Sequence, residues 1–140
     1  SIKQGQKGMK SRLMFIEKST GANHDGPAWI CKPRFSRSGD TVYFNNKALK
    51  HGAWLSQYHG NHFDLETSEG YWISGVKKNG QDRHRFGKGK VFVDCAVLEE
   101  YLAFRGIDKL DPQKYEVVEI VETKTPADFY QLSNAVLRER

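Results

Sequence analysis

Apolar residues come first in short runs broken by turn residues and only later at helical spacing, a change that predicts a sheet closed by helices. The run RLMFIE from Arg12 to Glu17 predicts a first strand inside that sheet, ended by Lys18-Ser19-Thr20-Gly21. Asp25-Gly26-Pro27 breaks the next loop and restarts the chain with a fixed φ, and Ala28 to Cys31 is again apolar. Two tight turns then predict a meander. With Ser38-Gly39 central to one turn, Phe35 faces Val42, and with Asn45-Asn46 central to the next, Val42 faces Leu49. All three share a face, leaving Arg34, Tyr43 and Ala48 on the other, with Lys50 extending it. His51 to Glu69 reads as a long loop with a short strand at Phe63-Asp64-Leu65.

The stretch from Tyr71 to Asp94, YWISGVKKNGQDRHRFGKGKVFVD, joins a hairpin pattern to the densest basic charge in the chain. Asn79-Gly80 is a favoured pair for a two-residue type I′ turn. That turn sets Lys77 opposite Asp82, Val76 opposite Arg83, Gly75 opposite His84, Ser74 opposite Arg85 and Ile73 opposite Phe86. One face then carries Tyr71, Ile73, Phe86 and His84, and the other carries Trp72, Ser74, Val76, Lys78, Arg83 and Arg85. The assignment requires that Gly75 form no bulge, because a one-residue slip turns Trp72 inward.

Val91-Phe92-Val93 predicts a further strand, and Asp94 fits the N-cap of a helix over Cys95 to Arg105 that Gly106 ends. Tyr115 to Val121 reads as a strand, and Thr125-Pro126 opens a last helix running through Leu137. The expected fold is therefore α+β: a mainly antiparallel small β-barrel or bent sheet with two C-terminal helices. Residues 11–140 form a single domain in this reading, after a disordered or vector-derived leader over 1–10.

Composition narrows the classes. The 140 residues carry a net charge of +5 with a pI of about 9.2, and the charge falls to +3 without Lys3 and Lys7 of the leader. Such a mild excess argues for a polyanionic partner only through clustering. No run approaches the ~20 apolar residues of a membrane span, so neither a membrane partner nor a location outside the cytoplasm is expected. Cys31 and Cys95 lack CxxC spacing and read as reduced thiols.

Nucleic-acid binding has the best physical case, because phosphates need several cations on one surface and single-stranded bases need exposed aromatic faces. Trp72, Lys78, Arg83, Arg85, Lys88 and Lys90 are the candidate site residues. The competing reading is a protein-interaction domain of immunity, antitoxin or adaptor type, docking the same hairpin on an acidic partner. A third is a small hydrolase or nuclease using His84 beside Asp82, His24-Asp25, or the group His59, His62 and Asp64. HxxH in a loop lacks the helical placement of a zinc motif, and Gly87-Lys88-Gly89-Lys90 lacks phosphate-loop spacing and precedes a strand. No cofactor, metal or catalytic residue is therefore assigned.

YWISGVKKNGQDRH, with FSRSGDTVYFNNKALK before it, resembles a group of small bacterial proteins over Leu13 to Asp94. Some of these carry a deoxyxylulose-phosphate synthase name. The resemblance implies a bacterial context and transfers no catalytic residue, since this chain is far too short for that enzyme and Asp25-Gly26 is no thiamine-diphosphate motif.

Overall fold

The computed structural model describes residues 11–19, 25–52, 60–83 and 87–130. The strands are β1 (Met14–Lys18), β2 (Ala28–Cys31), β3 (Arg34–Phe35), β4 (Thr41–Phe44), β5 (Lys47–His51), β6 (His62–Asp64), β7 (Gly70–Gly75), β8 (Val91–Asp94) and β9 (Tyr115–Val118). They form one curled, half-barrel sheet in the order β3-β4-β5-β6-β7-β1-β2-β8-β9. A 3-10 turn (Cys95–Val97) leads into the helix α1 (Leu98–Arg105), and a second 3-10 turn spans Pro126–Phe129.

Local turn chemistry sets the first part of this sheet. Asn45 and Asn46 both adopt positive φ, 53° and 62°, as a type I′ turn demands, and Val42 pairs with Leu49 while Phe35 pairs with Val42. Phe35, Val42 and Leu49 accordingly meet in one core on the concave face, with Met14, Ile16, Phe44, Tyr71 and Ile73. Tyr43 and Ala48 face the other way, packing with Phe63, Leu65 and Phe129. Asp94 caps the helical segment by accepting the Ala96 N–H, and Gly106 ends α1 at φ 69°.

The main departure from the sequence reading lies after β7. Its two edges are filled by β6 and β1, with Trp72 opposite Glu17 and Ile73 opposite Ile16, so β7 has no edge left for a hairpin partner. The basic stretch is a crossover instead of a hairpin. It leaves β7, brings Val76 onto the core and Arg83 onto Glu17 of β1, and leads to β8, which runs parallel to β2. The sheet is thus mixed at this end: β8 and β9 are also parallel and are joined through α1. Ordered pairing of β7 with β1 leaves no bulge at Gly75, and Trp72 does point outward.

Crossover and helix cover one face together. Phe15, Ile30, Val91 and Val93 pack there beneath Val97 and Tyr101 of the helical segment, and Val76 at the start of the crossover joins them. The final segment crosses to the opposite end of the sheet. Ile120 packs on the concave core, and the Asn46 side chain accepts the N–H groups of Thr123 at 2.9 Å and Lys124 at 3.0 Å. Glu122 accepts the Asn45 N–H at 2.6 Å, and Phe129 then docks on Tyr43. Of the two expected C-terminal helices α1 is present; at the position expected for the second the described residues show a 3-10 turn, capped by Thr125 and Asp128, and residues 131–137 lie outside the described residues. The leader over 1–10 also lies outside them. No helix among the described residues is long and apolar enough to cross a membrane.

Asn46 thus has two separable tasks, a left-handed turn and a tether for the final segment. Asn46→Gly, which keeps the turn and loses the tether, is expected to lower unfolding free energy by about 1–2 kcal/mol. Asn46→Ala adds a further ~1–2 kcal/mol for a Cβ in the left-handed region. Urea denaturation of the two variants beside the parent checks both steps.

Candidate nucleic-acid interface

One row of the sheet organises the site. Reading across five strands it runs Trp72, Glu17, Ala28, Val91, Tyr115, all directed to the face that the crossover and α1 cover. Two arginines lie over this row and hold the crossover against it.

The first is Arg83. Its guanidinium donates from Nη1 to Glu17 at 3.4 Å and to the Gly26 carbonyl at 2.9 Å, and from Nη2 to the Lys90 carbonyl at 3.3 Å. Both side chains are largely enclosed, 10% exposed for Arg83 and 6% for Glu17. A planar five-donor group suits this work, since it can satisfy a carboxylate and two carbonyls at once. Burial raises the Glu17 pKa, Arg83 opposes that rise, and Asp25 adds to it. Asp25 itself accepts the Lys88 N–H at 2.7 Å, so both ends of Lys88-Gly89-Lys90 are tied to the loop before β2.

The second is Arg105. It donates to the hydroxyls of Tyr101 at 2.9 Å and Tyr115 at 2.8 Å, and its guanidinium lies against both rings. The same group rests on Gly80: a Cβ at that position would run into the guanidinium, and the backbone there has φ 78°. The positive φ favours glycine, and any larger residue would also make the guanidinium shift. The turn itself differs from the expected type I′ pair, because among Asn79 and Gly80 only the glycine has positive φ, and Gly80 N–H closes onto the Lys77 carbonyl. Asp82 accepts the Lys77 N–H at 2.7 Å, while its Oδ2 is buried and finds no hydrogen-bond partner. Burial raises the Asp82 pKa, against the Lys77 N–H bond and the charges of Lys77 and Arg105.

The six sequence-predicted residues therefore separate. Trp72 is 42% exposed at the open end of the row. Lys88 and Lys90 are exposed on the loop that Arg83 pins beside Glu17, the cross-strand neighbour of Trp72. Lys78 is exposed on the turn held by Arg105. Arg83 is the correction: its charge is spent on Glu17 and two carbonyls, so it fastens the surface and does not present itself on it. Arg85 lies outside the described residues.

The histidine groups divide similarly. His62 and Asp64 do share the concave side of β6, but Asp64 is occupied, accepting the N–H groups of Glu66 at 2.8 Å and Thr67 at 3.4 Å. His24, His59 and His84 lie outside the described residues. Sequence reasoning missed Glu17 and Arg105. A lone Glu closing an otherwise apolar strand was the available hint for the first, and the buried partner it needs is 66 residues away.

Removing one member of the buried pair isolates its role. Arg83→Met strands the Glu17 carboxylate and is expected to cost about 3–5 kcal/mol near neutral pH. Without the guanidinium the folded-state pKa of Glu17 rises further above its unfolded value. The folded state then binds the extra proton, so the deficit shrinks as pH falls through the carboxylate range and grows as pH rises. Glu17→Gln combined with Arg83→Met recovers part of the loss, which denaturation at several pH values measures.

Comparison of the chain with protein-family models, with curated proteins and with solved structures gives no match.

Proposed function

We propose that the chain binds single-stranded nucleic acid, RNA or DNA, with Trp72 as a stacking platform and Lys88, Lys90 and Lys78 as phosphate contacts. The observation that carries this reading is the company Trp72 keeps: a large aromatic, 42% exposed, joined through Glu17 and Arg83 to a loop whose two lysines are solvent-facing. Exposed large apolar side chains are few among the described residues, and Trp72 is the one whose cross-strand partner, Glu17, is bound by Arg83.

The division of labour between the two cation types supports the same reading. A guanidinium that satisfies several fixed acceptors gives a loop one conformation, whereas a lysine at its rim is a mobile point charge suited to a phosphate chain of any sequence. The Glu17–Arg83 pair beneath is neutral as a unit and sets up little repulsion towards an anionic strand. With three lysines and one stacking residue the site would be short and would tolerate many sequences.

Fluorescence anisotropy with labelled oligouridine and oligothymidine checks this. Affinity should fall with salt, with a log–log slope near −2, about −0.7 for each of three phosphate contacts. Trp72→Ala should cost roughly 1–3 kcal/mol at every salt concentration, and Lys88→Ala with Lys90→Ala should flatten the slope. An acidic protein partner on the same surface would instead leave both oligonucleotide titrations flat.

A further inference from the structure

The concave side of the sheet carries a second feature, on the face opposite Trp72. Register sets His51 of β5 opposite His62 of β6. The Gly52 N–H donates to the Asn61 carbonyl at 2.8 Å and the Leu65 N–H to the Ala48 carbonyl at 2.9 Å, which makes His51 and His62 a non-hydrogen-bonded pair. In such pairs the side chains stand closest, with Cα atoms about 4.5 Å apart. The two rings meet at 5.2 Å between centroids with planes at 83°.

Asn61 fixes the protonation of this pair. Its amide donates to the Ile73 carbonyl and accepts the Ile73 N–H, both at 2.8 Å, so Oδ1 and Nδ2 are told apart by their partners. The same Oδ1 lies 2.8 Å from His62 Nδ1. Because that oxygen only accepts, His62 Nδ1 carries the proton and Nε2 keeps its lone pair. An imidazole held by its N–H to a fixed oxygen, with the other nitrogen unprotonated, is the form that ligates metals.

We propose that His51 and His62 chelate a divalent ion that favours imidazole, namely Zn²⁺, Ni²⁺ or Cu²⁺, through His62 Nε2 and a ring nitrogen of His51. Two imidazoles on a tetrahedral ion with metal–nitrogen bonds of about 2.0–2.1 Å bring their ring centres roughly 5 Å apart, which the observed pair already satisfies. No group of three or more His, Cys, Asp or Glu side chains completes a cage among the described residues, so the proposal rests on these two imidazoles. Hard ions such as Mg²⁺ and Ca²⁺ prefer oxygen ligands and are not expected. Bound metal ties the ends of β5 and β6 together, independently of any nucleic acid on the other face.

The test uses the full chain with Zn²⁺ alone. Two-dimensional NMR of the histidine ring nitrogens, followed during a Zn²⁺ titration, should show saturable shifts of His51 and of His62 Nε2, with His62 Nδ1 still protonated. His51 is exposed, and His51→Ala is expected to keep the fold and to weaken Zn²⁺ binding at this site about tenfold or more. The buried His62→Gln serves as a second variant, with folding confirmed by its amide spectrum. Rings unshifted at roughly millimolar Zn²⁺, or an unchanged affinity in His51→Ala, would overturn the proposal.

Discussion

The buried pair of Glu17 and Arg83 is the constraint on which the charged face depends. An acid near the end of an interior strand, enclosed to this degree, is tolerable only with a cation and further hydrogen bonds around it. Arg83 meets that requirement from 66 residues away, and in doing so fixes where the crossover lies. The same guanidinium also binds the carbonyls of Gly26 and Lys90, so it ties together β1, the loop before β2 and the entry to β8. A surface that would otherwise be a floppy basic loop acquires a definite shape there.

The rest of the face follows from that attachment. With the crossover laid over the row from Trp72 to Tyr115, α1 can cover the remaining apolar positions, and Arg105 closes the far end by resting on Gly80 between two tyrosines. Trp72 is left open because it lies at the opposite end of the row, beyond the reach of the helix. The arginines are consumed in construction and the lysines remain outside.

Local features of this fold were legible in the chain, and non-local ones were not. The Asn45-Asn46 turn, the pairing of Phe35, Val42 and Leu49, the Asp94 cap and the Gly106 stop each depend on a few neighbouring residues whose backbone preferences agree. The expected hairpin at Asn79-Gly80 failed for a physical reason: β6 and β1 compete for the same strand edges and offer apolar partners, whereas residues 81–86 offer mostly polar ones. The outward direction of Trp72 survived, since side-chain alternation along β7 does not depend on which strand lies beside it. The sequence reading set Arg83 among the phosphate contacts, whereas its guanidinium is engaged by Glu17 and two carbonyls. Only the buried Glu17, invisible as such in the sequence, distinguishes it from an exposed cation.

The central claim is that the Trp72 row and the pinned lysine loop act as one binding surface. Backbone and indole NMR during titration with oligouridine addresses it most directly. The account predicts that the Trp72 indole N–H moves together with the amides of Gly87 to Lys90, along one saturation curve, while the concave-face signals of His62 and Tyr71 stay in place. Shifts centred on the concave face, or none at all near Trp72 at saturating oligouridine, would contradict it.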